Sequence, residues 1–173
     1  MQEKRFYVGD LVLGANDGII TSFAVISGAA GAGLPAFVVI VLGLANLVAD
    51  GISMGLSNYL SLRSTKEAEL NVGINESRLD NPSRHGLATG LAFVSAGALP
   101  LIPYFFGIPQ DLKFFVAIAA TATALFTVGA LRSLVTGHHW LRSGLEMLFV
   151  GGIAAIAAYS VGAAVKALFG LAI

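Results

Sequence analysis

Five apolar stretches, separated by polar or helix-breaking segments, follow one another along the chain. They cover residues 7–30, 36–62, 86–106, 112–135 and 141–170. Each is long enough to cross the hydrocarbon core of a bilayer as a helix. Residues 63–85 form the one long polar stretch, which is a predicted loop. The pattern predicts an all-α membrane protein, with five transmembrane helices in a single domain over residues 1–173.

A polar stripe interrupts the second apolar stretch, with one residue at every fourth position: Asn46, Asp50, Met54 and Asn58. Side chains at this spacing lie on one face of a helix. A carboxylate in hydrocarbon is costly, so Asp50 is expected to face a water-filled path or a partner. The thioether of Met54 is a soft ligand that suits transition metals. Two interpretations remain open from the stripe alone: a helix lining a metal-ion route, or a buried polar contact between helices with Met54 as filler.

The amino-acid composition is typical of a protein surrounded by lipid. Hydrophobic residues make up 56% of the sequence and charged residues only 12%, whereas soluble domains are about one quarter charged. The formal net charge is zero, which argues against a nucleic-acid-binding surface. The sequence has no cysteine, so disulfides and thiolate metal sites are excluded.

The basic residues predict the orientation of the five helices. Two of them, Lys113 and Lys166, fall on one side of the membrane, and the other eight fall on the opposite side, at positions Lys4, Arg5, Arg63, Lys66, Arg78, Arg84, Arg132 and Arg142. Basic loop residues concentrate in the cytosol. The N-terminus and the loop 63–85 are therefore predicted to be cytosolic, and the C-terminus to lie outside.

Three acidic residues outside the stripe also lie within or at the edge of apolar stretches. Asp10 and Asp17 are seven residues apart and share a helix face; Asp10 is expected to be solvated near the cytosolic end. Asp17 lies about 10 Å further in, at 1.5 Å per residue, where it either lines the path or makes a structural hydrogen bond. Glu146 follows Arg142 by one turn, which predicts an ion pair between them.

Four cytosolic residues are candidates for a metal entry site. Glu67 and Glu69 either attract cations to a cytosolic mouth or belong to a charged, partly helical linker that is merely solvated. His138 and His139 are adjacent in a short loop, where they either contact metal or form a solvated turn.

Glycines four residues apart predict places where helix backbones approach closely. These pairs are Gly14 with Gly18, Gly51 with Gly55, and Gly86 with Gly90. Two of the pairs lie beside Asp17 and Met54. Close packing there would bring these two side chains into one narrow site.

Several of these residues fall in motifs that resemble the vacuolar iron transporter family. The motifs are NDGI at residues 16–19, ADGISMG at 49–55, NYL at 58–60 and SGLEML at 143–148. The likeness extends over nearly the whole chain. It implies a five-helix homodimer in the lipid bilayer that exchanges protons for Fe²⁺ or Mn²⁺ and moves metal out of the cytosol. It implies a transporter rather than an enzyme, without a permanently bound cofactor.

The resemblance also implies roles for individual residues. Asp17 and Met54 match the metal-binding Asp and Met of the family, whose ion route runs between two protomers and is lined by the first helix. Asp50 is our predicted proton-coupling group, because a carboxyl in a low-dielectric environment can take up a proton when metal leaves. The pathway-lining residues are predicted to be Asn16, Asn46 and Asn58.

Two features depart from the iron-transporting eukaryotic members of that family. They carry Glu at the position of Asn46, whereas the acid here is Asp50, one turn along. They also insert a Glu-rich cytosolic domain, for which residues 63–85 are too short. These differences predict a short prokaryotic form in the cell (inner) membrane; a eukaryotic source would place it in a vacuolar-type membrane.

Two other functions compete with transport as interpretations of the sequence. One is a non-transporting accessory or packing subunit, in which every polar residue is structural. The other is an intramembrane aspartyl protease using Asp17 and Asp50 as a dyad. The Gly-x-Gly-Asp signature of such proteases is absent, since Leu47, Val48 and Ala49 precede Asp50.

Overall fold

The computed structural model describes residues 2–73 and 81–170, with the side chains of residues 2–6 and 135 excepted. Within these ranges the regular elements are helices: α1 (Gln2–Ala32), α2 (Ala36–Asn71), α3 (Pro82–Gly97), a 3-10 turn (Leu99–Leu101), α4 (Ile102–Phe105), α5 (Gln110–Thr136) and α6 (Trp140–Phe169). Arg78 and the side chains of Lys4 and Arg5, which entered the orientation argument, lie outside the described residues.

Five helical segments of the described chain are long and apolar enough to cross a membrane. They are Tyr7–Ala32, Ala36–Asn71, Pro82–Phe105, Gln110–Leu134 and Trp140–Phe169. The predicted all-α fold with five transmembrane helices is therefore confirmed.

The helix ends differ from the predicted boundaries around the polar stretch 63–85. Helix α2 runs on to Asn71, and Arg63 pairs with Glu67 one turn later, at 2.8 Å, on this exposed extension. Helix α3 begins at Pro82, where the Asn81 side chain caps it by accepting a hydrogen bond from the Ser83 amide. The polar stretch is thus helical at both of its ends.

The third apolar stretch is divided into two helices by prolines. Pro100 lies in the 3-10 turn and Pro103 in the first turn of α4. Proline removes a backbone donor and cannot continue a regular helix from within, which accounts for the break after Gly97.

Helices α1 and α3 form the centre of the bundle. Helix α1 packs against α3 and α6, α2 packs against α3, and α5 packs against α6. The main hydrophobic core gathers Phe23 and Ile26 of α1, Leu47 of α2 and Phe93 of α3. The outer faces of α2 and α6 remain apolar and exposed, as expected for surfaces that meet lipid tails or another membrane protein.

The glycine pairs hold α3 between α1 and α2. A Cβ at Gly14 or Gly18 would overlap the carbonyl oxygens of Thr89 or Phe93 in α3. On the other side of α3, a Cβ at Gly90 would come within 2.8 Å of the Gly51 carbonyl oxygen in α2. We expected the pairs in α1 and α2 to bring those two helices directly together; instead, each pair packs against α3.

Candidate functional site

The polar stripe of α2 lies along the border between its buried and exposed faces. Its four members, Asn46, Asp50, Met54 and Asn58, are all half-buried. By contrast, three apolar residues on a different face of α2 are each more than half exposed: Val48, Ile52 and Leu56. The stripe therefore points toward neighbouring helices rather than directly into the surrounding lipid.

Asp17 of α1 and Asp50 of α2 are near enough for their carboxyl groups to interact electrostatically. Both are half-buried. Among the side chains that the structure describes, none forms an ion pair with either of them. Two neighbouring carboxyl groups without a counter-ion attract a cation or a proton.

Unsatisfied polar atoms lie one residue before Asp17 and one helical turn before Asp50. The Oδ1 atom of Asn16 and the Nδ2 atom of Asn46 are buried and have no hydrogen-bond partner in the described part of the protein. Leaving a buried polar atom unpaired costs about 1–3 kcal/mol. These two atoms are therefore available to bind water or a ligand within the same helical turns as Asp17 and Asp50.

Met54 is a half-buried residue that packs against the main hydrophobic core. Packing is therefore one reason for a methionine at this position, and it requires no ligand. No group of three or more His, Cys, Asp or Glu residues in the described ranges is arranged to hold a metal ion. A metal shell at Asp17 would therefore have to include other ligand types, such as amide oxygen or thioether sulfur, or residues of a second copy.

Asn58, the last residue of the stripe, belongs to a buried hydrogen-bonded cluster that joins three helices. Its amide donates to Asp10 Oδ1 at 2.8 Å and to Thr89 Oγ1 at 2.6 Å. The other carboxylate oxygen of Asp10 is bonded to His85 Nδ1. The expectation of a solvated Asp10 is wrong, because its side chain is only 13% exposed and that of His85 3%.

His85 is the residue of this cluster that sequence reasoning missed. It lies at the edge of an apolar stretch, 75 positions from Asp10, and nothing local marks it as buried. The shared face of Asp10 and Asp17 was the one available signal that Asp10 points inward.

The candidate entry residues differ in their surroundings. Glu67 is engaged by Arg63 at 2.8 Å, whereas Glu69 has a buried, unpartnered Oε2 atom among the described residues. His138 and His139 are exposed, and the ring of His139 stacks on Trp140.

The predicted ion pair of Glu146 is corrected by the structure. The carboxylate of Glu146 lies 3.6 Å from Arg132 of α5 rather than pairing with Arg142 on its own helix. The close packing of α5 on α6 brings the two together: a Cβ at Gly129 of α5 would overlap the backbone of Ser143 and Gly144.

Comparisons with known proteins identify relatives of this chain. The VIT family model matches residues 8–72 and 66–163. Vacuolar iron transporter 1 of Tulipa gesneriana is 26% identical over 227 residues, which covers 96% of this chain and 92% of that protein. Vacuolar iron transporter 1 of Arabidopsis thaliana is 27% identical over 218 residues, covering 91% and 87%.

A third relative, vacuolar iron transporter homolog 1 of Oryza sativa subsp. japonica, is 30% identical over 164 residues, covering 87% of this chain and 70% of the relative. The family model and these relatives each cover most of the chain. The protein therefore belongs to the VIT family, which is a family of transporters rather than enzymes.

Proposed function

We propose that this protein is a transmembrane transporter that exports divalent iron, manganese or both from the cytosol in exchange for protons. The observation that carries the proposal is the pair of carboxyl groups of Asp17 and Asp50, which interact within membrane-spanning helices and lack an ion-pair partner in the described residues. Membership of a family whose named members include vacuolar iron transporters supports iron as the cargo.

The types of ligand available favour transition metals. Carboxylate oxygen binds Fe²⁺ and Mn²⁺, while the thioether of Met54 disfavours Mg²⁺ and Ca²⁺. Within one chain, the described residues offer few anionic ligands near Asp17. We therefore propose a homodimer in which both copies of Asp17 and Met54 contribute to the metal shell, with the protein placed in a prokaryotic inner membrane.

Proton exchange is assigned to Asp50. When metal occupies Asp17, repulsion between the two carboxylates is relieved by the cation; when metal leaves, a proton on Asp50 can replace it. The unpartnered amide atoms of Asn16 and Asn46 and the amide of Asn58 would line the path. Glu69, Glu67, His138 and His139 are proposed to attract metal on the cytosolic side.

Flux measurements in sealed proteoliposomes test this proposal. Under an imposed pH gradient, Fe²⁺ and Mn²⁺ should move through the wild-type protein, whereas Ca²⁺ should not. Asp17→Ala should abolish flux, because no other described acid replaces its carboxylate beside Asp50. Asp111→Asn removes an exposed acid in the first turn of α5 and should transport as the wild type does.

Two outcomes would contradict the proposal. A folded wild-type protein that moves none of the tested metals would favour an accessory subunit. Equal flux through Asp17→Ala and wild type would remove Asp17 from the path.

A further inference from the structure

Four residues at one end of the bundle form what we call the latch cluster: Asp10 of α1, Asn58 of α2, and His85 and Thr89 of α3. Asp10 accepts from Asn58 through Oδ1 and bonds to His85 through Oδ2. Thr89 accepts from Asn58 at 2.6 Å and donates to the His85 carbonyl oxygen at 3.0 Å. The Asp10 carboxylate is thus the central acceptor that links the three helices.

His85 is enclosed by its partners. Its side chain is 3% exposed, and its ring stacks on that of Tyr7 with centroids 4.3 Å apart and planes 1° from parallel. An ionised carboxylate can only accept hydrogen bonds, so Nδ1 of His85 carries the hydrogen that faces Asp10. A gain or loss of charge by His85 therefore takes place at Nε2.

The charge of His85 changes the strength of its contact with Asp10, which joins α3 to α1. With a protonated imidazole, the contact to Asp10 is an ion pair as well as a hydrogen bond. With a neutral imidazole, it is a hydrogen bond to an anion alone. Bonds in which both partners are ionised are stronger, and the low exposure of the pair limits screening by water and salt.

Among the side chains that the structure describes, few other titratable groups face this pair. Helix α1 presents Tyr7 beside Asp10, and α2 presents the neutral amide of Asn58. Tyr59 follows on α2, and its hydroxyl accepts a 3.4 Å hydrogen bond from Arg63, which also pairs with Glu67. On α3 itself, the neighbouring Arg84 is exposed. Among the described residues, Asp10 is the carboxylate in contact with His85.

The position of the cluster connects it to the polar stripe. Asn58 is the last stripe residue, two turns from Asp50 and one from Met54. Its amide donates hydrogen bonds to Asp10 and Thr89 at the same time. The side chain can therefore rotate toward the other stripe residues only when these hydrogen bonds weaken. Histidine is the side chain that most commonly serves as a proton-binding switch in proteins.

We propose that the latch cluster is a proton-binding site that closes this end of the polar stripe. Protonated His85 binds Asp10, which holds Asn58 and draws α1, α2 and α3 together. Loss of the proton from Nε2 to water weakens the hold and releases Asn58, so that this end of the stripe opens. The link to metal passage rests on the proposed transport function; the proton-dependent closure does not.

Distance measurements between spin labels test the closure without any metal. Labels on Gly9→Cys and Ser83→Cys would report the separation of α1 and α3; both positions are exposed, and a side chain at Gly9 meets no atom within 4 Å. In lipid, the distance distribution should be short and narrow at pH 5 and longer or broader at pH 8.

Variants identify the groups responsible. His85→Gln keeps a neutral donor and Asp10→Asn removes the charge of the acceptor, so in each the distance should be the same at pH 5 and pH 8. Arg84→Gln, on the exposed neighbour, should respond to pH as the wild type does. Should His85→Gln fail to fold, Asp10→Asn tests the same pair.

The outcomes separate the latch from the transport function. Three results would overturn the proposal for the latch cluster. The distance could respond to pH in both His85→Gln and Asp10→Asn, the response could be lost in Arg84→Gln, or the wild type could show no response. Downhill metal flux at equal pH on both sides should be several-fold lower at pH 5 than at pH 8 in the wild type, and independent of pH in His85→Gln. A pH-dependent distance change in a protein that shows no metal flux would support the closure and refute transport. Metal flux without a distance change would support transport and refute the closure.

Discussion

Asn58 in the second helix donates a 2.8 Å hydrogen bond to Asp10 in the first, although the two residues are 48 positions apart. The same amide donates a 2.6 Å bond to Thr89 in the third helix. One side chain of α2 is therefore hydrogen-bonded to both α1 and α3. The contacts of Asn58 make it a structural residue as well as a member of the polar stripe.

Asn58→Leu should lower the stability of the folded protein, because Asp10 and Thr89 would each lose a donor. The expected cost is about 1–3 kcal/mol. Thermal unfolding in a mild detergent would measure it as a lower Tm. Ser57→Ala, at the exposed neighbouring position, should leave Tm unchanged. Equal Tm values for Asn58→Leu and wild type would mean that the cluster does not stabilise the bundle.

Gly18→Ala should push α1 away from α3. The added Cβ would overlap the Phe93 carbonyl oxygen, and overpacking of this kind costs about 1–3 kcal/mol. Thermal unfolding again supplies the measurement, with Gly9→Ala as the control because its Cβ would meet nothing within 4 Å. If both variants unfolded at the same temperature, the close approach at Gly18 would be refuted.

Asp50→Asn should uncouple metal movement from the pH gradient while leaving metal binding largely intact. The amide keeps the size of the carboxyl group but does not take up a proton. Metal binding to purified protein and gradient-driven uptake into proteoliposomes measure the two properties separately. Uphill metal transport by Asp50→Asn with an unchanged proton stoichiometry would assign coupling to another acid, such as Asp17 or Glu146.

Met54→Leu should separate the packing role of this residue from its proposed ligand role. Leucine keeps the apolar contact with the core but removes the sulfur atom. We expect a folded protein with weaker Fe²⁺ flux, by about tenfold or less, and reduced discrimination against Ca²⁺. Met54→Ala should show both losses together with lower stability. Wild-type selectivity in Met54→Leu would identify Met54 as a packing residue alone.

Cysteines at Asn71 and Ala167 should be labelled from opposite sides of sealed vesicles. The native sequence has no cysteine, and both positions are exposed near the ends of α2 and α6. Two crossings place the end of α2 on the side of the N-terminus, and five place the end of α6 on the other side. Labelling of both cysteines by an impermeant reagent from one side would contradict the five-crossing arrangement.

The sequence by itself determined the class of fold and the stripe on α2. Helix formation and membrane insertion depend on local properties, namely the length of each apolar run and the small number of charges within it. The period of the helix likewise determines which residues share a face, so the spacing of Asn46, Asp50, Met54 and Asn58 was enough to place them together. The family motifs around Asp17 and Asp50 are also local patterns.

Only the tertiary structure decided which faces meet. Helical periodicity predicted that Asp10 and Asp17 share a face, but not that Asp10 would meet His85 from 75 positions away. The glycine pairs predicted close approaches but not the correct partner, which proved to be α3 for both α1 and α2. Glu146 similarly found Arg132 on another helix. Such contacts depend on how all five helices pack at once, because the surface available to each side chain is supplied by distant parts of the chain.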